Sequence, residues 1–194
     1  MEPAVGVKKT GFSYRDYQTW DKDQRWEIFR GEAYLMTPAP PRRHQEISVE
    51  LTRQFSNFLL GKACRVYAAP FDIRLGDSTE KDEDILTVVQ PDISVICDRV
   101  RLDEKGCLGA PDLIVEILSP ATSRRDWKDK FSLYEEFGVR EYWIVDPAAK
   151  TVVVFILGND GRYGRPEVYT EEDSLPVGLL EGLIIELGPV FKDY

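Results

Sequence analysis

Apolar and polar residues alternate most clearly between Asp112 and Pro120, and the period changes soon afterwards. A strand there would put Asp112, Ile114, Glu116 and Leu118 on one face and Leu113, Val115 and Ile117 on the other. Glu116 is thereby set deep in an apolar run. After a turn, Ala121 to Arg125, the spacing from Asp126 becomes helical. With Asp126 at zero and roughly 100° per residue, Leu133 falls near −20°, Phe137 near 20°, Tyr134 near 80° and Phe131 near 140°. Lys130 falls near 40°, inside the apolar arc. Lys128, Asp129, Glu135 and Glu136 take the opposite side, as an amphipathic helix requires.

The same reading extends along the chain. Tyr14 to Phe29 is loosely helical, with Asp21 or Asp23 as caps, and Glu32 to Thr37 is a short strand closed by Pro38-Ala39-Pro40-Pro41. A strong helix is predicted from about Arg43 to Leu60, with Ile47, Leu51, Phe55, Phe58 and Leu59 on one face, His44 beside them and Gly61 as the stop. Arg65 to Leu75 has strand composition, with Asp72 and Arg74 facing water. Gly76 to Asp84 is an acidic, solvated loop. Ile85 to Cys97 resumes strand character around Pro91-Asp92, an edge, bulge or strand start, with Val89, Ile93 and Val95 opposite Asp92. Asp98 to Pro111 is a polar connection. Glu141 to Val145 is a strand, Thr151 to Leu157 with Tyr163 to Thr170 forms a hairpin, and Leu183 to Leu187 adds a last strand.

Composition narrows the chemistry. The 194 residues suffice for one domain, 1–194, around a full core. No leader-like apolar stretch and no bilayer-length run is present in the sequence, so a cytoplasmic protein without membrane contact is expected. Three cysteines without CxxC spacing predict reduced, structural thiols. The single histidine, His44, excludes a multi-histidine metal site, so a metal would have to use oxygen ligands. A net charge of −9 argues against nonspecific coating of nucleic acid. The pairs Arg42-Arg43 and Arg124-Arg125 each begin a predicted helix, where the dipole disfavours cations but a bound phosphate would be held.

The charged residues that break the apolar pattern form an ordered set: Asp92 on one strand, Glu116 on the next and Lys130 on the following helix. Each has a plain structural explanation, a capping carboxylate or a lysine stem lying over apolar surface. Two strand carboxylates in a cleft would bind Mg²⁺ or Mn²⁺, with the Ile117 carbonyl beside Glu116 as a further ligand. A nearby lysine would orient or deprotonate a water, which is equipment for metal-assisted phosphodiester hydrolysis.

At these residues the chain resembles the Uma-type restriction endonuclease family of the PD-(D/E)XK phosphodiesterase superfamily. The resemblance rests on Gly31-Glu32, Arg43-His44-Gln45, Pro91-Asp92, the run Asp112 to Pro120, Asp126 with Lys130 and Tyr134, and Gly138 to Pro147. It implies an α/β (α+β) restriction-endonuclease-like core, a mixed central sheet flanked by helices, here with an additional C-terminal β-hairpin. It also implies that Asp92 and Glu116 bind metal and that Lys130 stands in for the lysine of the usual Glu-x-Lys, whose place Leu118 occupies. Glu32 and His44 match family positions for an accessory metal ligand and a phosphate or water contact. Arg43, Arg124 and Arg125 are the expected substrate-phosphate contacts. DNA is the expected substrate and a homodimer the expected assembly. The competing reading is a catalytically silent nuclease fold serving as a binding or assembly module, with Lys130 and Glu116 as a buried ion pair. A carboxylate hydrolase acting on sugars would need no lysine.

Overall fold

A computed structural model describes residues 11–21, 23–36, 39–77, 79–119 and 126–192. The first described element is a short helix, α1 (Tyr14–Tyr17), capped by Ser13 in a reciprocal box with Asp16. Among the described residues no helix begins at Asp21 or Asp23, and Asp21 instead accepts the Asp23 amide in a turn. β1 (Trp26–Phe29) and β2 (Glu32–Leu35) pair as an antiparallel hairpin, so the helical reading of 26–29 is overturned. Trp26, Glu27, Ile28 and Phe29 are a strand because their partner across the turn is β2, a pairing that four residues do not announce.

The long helix α2 (Arg42–Leu59) follows the prolines and buries His44, Ile47, Leu51, Phe55 and Leu59, as the periodicity predicts. β3 (Arg65–Ala68) and β4 (Ile73–Arg74) replace the single strand expected over 65–75, and they belong to different sheets. The same division separates β5 (Val88–Val89) from β6 (Ile93–Ile96), which makes Pro91-Asp92 the entry to a strand. Val89 consequently packs in a different cluster from Ile93 and Val95.

A 3₁₀ turn (Arg99–Arg101) and the pair β7 (Leu102–Asp103) and β8 (Gly106–Leu108) fill the polar connection. β9 (Leu113–Ile117) is wholly buried. A π-helical turn (Asp126–Lys130) runs into α3 (Phe131–Phe137), which ends at Gly138 with φ of 80°. β10 (Glu141–Asp146), β11 (Thr151–Ile156) and β12 (Glu167–Thr170) follow, the last two being the expected C-terminal hairpin. β13 (Ser174–Pro176) pairs with β14 (Ile184–Glu186), and a helix not anticipated from the sequence, α4 (Leu187–Phe191), closes the described chain.

The architecture is α+β with a restriction-endonuclease-like core, but it has two six-stranded sheets where one central sheet was expected. One has the order β2-β1-β5-β4-β8-β7 and the other β12-β11-β10-β9-β6-β3. In the second sheet β9 and β10 run parallel, joined through the π turn and α3, while β6 and β9 are antiparallel. Leu113, Val115 and Ile117 pack against α2 and α4 on one face. Ile114 packs on the other, with Leu133 and Tyr134 of α3 and with Ile73, Val89 and Cys107 of the first sheet. The alternation read along β9 therefore holds.

Three expectations are corrected. Cys64 and Cys97 are disulfide-bonded, leaving Cys107 as the buried free thiol, because they extend the β3–β6 register by one pair beyond Arg65 and Ile96. Arg74 does not face water: it is 2% exposed and bound by Asp103 at 2.6 Å. Asp82, from the acidic loop, lies 3.8 Å from the same guanidinium, so that loop supplies charge to the interior as well as meeting solvent. Among the described residues no helix is long and apolar enough to cross a membrane.

Candidate active site

Glu116 occupies the centre of the second sheet, flanked by β6 and β10, and only 4% of it is exposed. A carboxylate so buried requires partners. Lys130 provides one, its Nζ standing 2.8 Å from Glu116 Oε1. Tyr134 provides another, its hydroxyl donating to the same oxygen at 2.7 Å. Lys130 and Tyr134 are four residues apart on the helical segment, which puts both on the face turned to β9. Burial, followed by the charges of Glu116 and Glu27, pushes the Tyr134 phenol well above its ordinary range, so it stays a donor.

Glu27 is the residue that the sequence reading missed. It comes from β1, in the other sheet, and its Oε1 lies 3.2 Å from Lys130 Nζ while accepting the Gln90 amide at 3.1 Å. One ammonium is thus shared by two buried carboxylates from two sheets. The available signal was the acid at the second place of Trp26-Glu27-Ile28-Phe29, an apolar run like the one holding Glu116. Without the strand assignment that position carried no face.

Asp92 stands just before β6. The β6–β9 register pairs Ile93 with Val115 and Ser94 with Ile114, so its continuation sets Asp92 across from Glu116. Asp92 Oδ2 accepts the Ile117 amide at 2.8 Å and lies 3.1 Å from His44 Nε2. Because the carboxylate only accepts, His44 Nε2 carries the proton. His44 Nδ1 is buried without a hydrogen-bond partner among the described residues. His44 thus packs on the α2 face and also braces Asp92. The carbonyl of Ile117 was the expected ligand, and what the structure ties to Asp92 is the amide of that residue.

The remaining candidates lie elsewhere. Glu32 accepts the Tyr34 hydroxyl at 2.7 Å on the wall of a cavity of about 420 Å³, shared with Lys128, Asp129 and Leu133 beside the π turn. Arg43 is engaged within the fold: its guanidinium donates to the carbonyl of Lys192 at 2.6 Å and to that of Phe191. The last carbonyls of a helix have no partner within it, and the guanidinium fork satisfies two groups at the end of α4. Arg124 and Arg125 fall outside the described residues, as does the side chain of Asp126. Leu118 packs on the Ile114 face, so the position of the usual lysine does adjoin the Glu116 site.

Among the described residues no three His, Cys, Asp or Glu side chains converge as a metal cage. Mg²⁺ needs less than a cage, being held by one or two carboxylates with water and substrate phosphate completing its shell. Asp92 and Glu116 on neighbouring strands meet that requirement, and Glu27 and Glu116 bring one more negative charge than Lys130 neutralises.

The mixed sheet with its parallel β9–β10 pair joined through α3 has a restriction-endonuclease-like fold. Residues 14–188 match the model of the Uma2 family, described as "putative restriction endonuclease", and the chain belongs to that family. An uncharacterized protein of Synechocystis sp. is 29% identical over 154 residues, which span 78% of this chain and 77% of that protein. The crystal structure of a "putative nuclease belonging to DUF820" from Anabaena variabilis is similar in fold, with a TM-score of 0.73 and 21% identity. The match covers 93% of this chain and 97% of that one.

Proposed function

We propose that the protein is a Mg²⁺-dependent endonuclease that hydrolyses DNA phosphodiester bonds, with Mn²⁺ as an alternative ion. The observation that carries this reading is the Lys130 ammonium at 2.8 Å from Glu116, beside Asp92 in the strand register. Asp92, Glu116 and the Ile117 carbonyl would hold the ion. When bound, the ion would supply Lewis-acid polarisation of the scissile phosphate and a more acidic water. Lys130 orients the attacking water and faces the phosphate. Tyr134 and Glu27 fix the lysine and its carboxylate, and His44 fixes Asp92. Glu32 is an accessory acid at the adjoining cavity, and Arg124 and Arg125 contact the substrate phosphate. Two copies, each cutting one strand, would make a double-strand break, so a homodimer belongs to the proposal.

Asp92→Asn and Glu116→Gln each remove a charged ligand at nearly constant shape, so each should abolish or steeply reduce Mn²⁺ binding in a calorimetric titration. Unchanged affinity in both variants sinks the metal site. Cleavage of supercoiled, linear, branched and single-stranded DNA, compared in Mg²⁺, Mn²⁺ and chelator, tests the activity.

The second reading, a silent nuclease fold used for binding or assembly, is favoured by one observation: Glu116, Lys130 and Tyr134 already satisfy one another without any ion. It requires that Glu116→Gln lose about 3–5 kcal/mol of metal-free stability while no metal or substrate condition gives cleavage.

A further inference from the structure

A second cavity, of about 580 Å³, opens on the other side of β1 from the Lys130 site. Trp20 and Trp26 stand in its wall with ring centroids 5.4 Å apart at 67°, and Tyr17 meets Trp20 at 5.7 Å. Asp72 lies among these rings. Its Oδ1 receives the Tyr17 hydroxyl at 3.0 Å and Gln90 Nε2 at 2.8 Å, and Oδ2 retains acceptor capacity. Arg25 donates through Nε to Gln90 Oε1 at 2.9 Å, while its terminal nitrogens make no protein hydrogen bond among the described residues.

The cavity is joined to the candidate active site by single residues. Gln90 presents its side chain to Asp72 and its backbone amide to Glu27, the carboxylate shared with Lys130. Trp26 and Glu27 are neighbours on β1, so alternation sends one ring toward the cavity and the next carboxylate toward the lysine. The chamber, which contains a fixed acceptor in Asp72 and the guanidinium of Arg25, thus shares β1 and Gln90 with the Lys130 site.

We propose that this chamber receives one unstacked nucleobase of the strand held at the Lys130 site, with Trp20 and Trp26 as its aromatic walls. Asp72 accepts from an amino group on the base, and Arg25 reaches the adjacent phosphate. The inference rests on the nuclease reading and adds a recognition element to it. Stacking supplies sequence-tolerant affinity that does not depend on neutralising many phosphates, which suits a chain of net charge −9. The acceptor adds discrimination, because adenine, cytosine and guanine carry an exocyclic amino donor and thymine does not. Burial raises the Asp72 carboxyl above its ordinary range against the opposing hydrogen bonds from Gln90 and Tyr17. A polar ligand entering the chamber would relieve that desolvation only if it brought a donor.

The test uses the full chain in chelator, so that binding is read without cleavage. The probes are single-stranded abasic oligonucleotides carrying one adenine, one cytosine, one thymine or no base. Adenine and cytosine probes should bind about tenfold or more tighter than the base-free strand and should quench tryptophan fluorescence. They should exceed thymine by roughly three- to tenfold, the worth of one hydrogen bond. Asp72→Asn should erase the preference over thymine, and Trp20→Leu the dependence on a base. Equal affinity for all four probes, or a preference for thymine, overturns the proposal from the wild-type series alone, whether or not a variant folds. Cleavage in Mg²⁺ without base-dependent binding would discard the chamber and keep the nuclease, whereas base-dependent binding without cleavage in any metal would do the reverse.

Discussion

A lysine clamped between two buried carboxylates responds to substitution in two separable ways, and Lys130 allows both to be measured. Lys130→Ala leaves Glu27 and Glu116 without their common counter-ion, so a loss of about 3–5 kcal/mol in thermal or denaturant unfolding is expected. It should also eliminate cleavage while sparing metal affinity, since the proposed mechanism uses the lysine on water and phosphate and not as a metal ligand. Leu118 shares a face with Glu116 roughly 6–7 Å along β9, so adding Leu118→Lys should restore measurable turnover when rates are normalised to folded protein. A fully active Lys130→Ala would refute the role given to Lys130. Other buried groups set an alkaline limit. Burial pushes the Cys107 thiol up to about 12 from its ordinary 9.0, and the Tyr14 phenol up to about 12 from 10.0. A raised folded-state value keeps stability intact below the unfolded value and loses it as pH climbs toward the folded one. Melting temperature should therefore fall steeply between about pH 9 and 12, and Cys107→Ala should flatten the lower part of that fall. A flat profile to pH 12 would contradict the burial assigned to both groups.

Elements were legible in proportion to their length and to how locally they are held together. Eighteen residues of α2 and five wholly buried residues of β9 carry enough periods to declare a face, and the structure bears both out. The two-residue strands β4, β5 and β7 carry none, and β4 and β5 depend on partners well separated along the chain. For that reason the first sheet, which contains β1, and with it the place of Glu27, could not be read. The β7–β8 pair shows how tight such joints are. Gly106, at φ 126°, would place a Cβ 2.2 Å from the Asp72 carbonyl, whereas Gly61, at φ 77° beyond α2, has open space around it. Gly106→Ala should therefore cost at least about 2 kcal/mol, adding a clash with backbone to conformational strain. Gly61→Ala should cost only about 1 kcal/mol. Thermal unfolding of the two variants side by side checks the difference, and equal losses would mean that the hairpin yields at Asp72.

At the scale of the whole molecule, the acidic balance was legible from composition, but the disposal of its charge was not. Arg42 lies against Glu46, Arg43 is committed to the end of α4, and Arg74 is sunk between Asp82 and Asp103. Basic residues that composition counts as available for phosphate are thus engaged within the fold. The net charge of −9 disfavours a broad phosphate contact, and observed affinity falls with salt in proportion to the number of phosphates neutralised, by about 0.9 logarithmic units per contact on duplex DNA. A protein relying on two or three such contacts, with Arg124 and Arg125 among them, should give a slope of only about 2–3 in magnitude. Arg124→Ala and Arg125→Ala should each weaken binding and flatten the slope by about one. Anisotropy titrations on a labelled duplex across a salt series read both quantities. A steep slope that neither substitution changes would place the nucleic-acid contact on a face other than the one that carries Glu116 and Lys130.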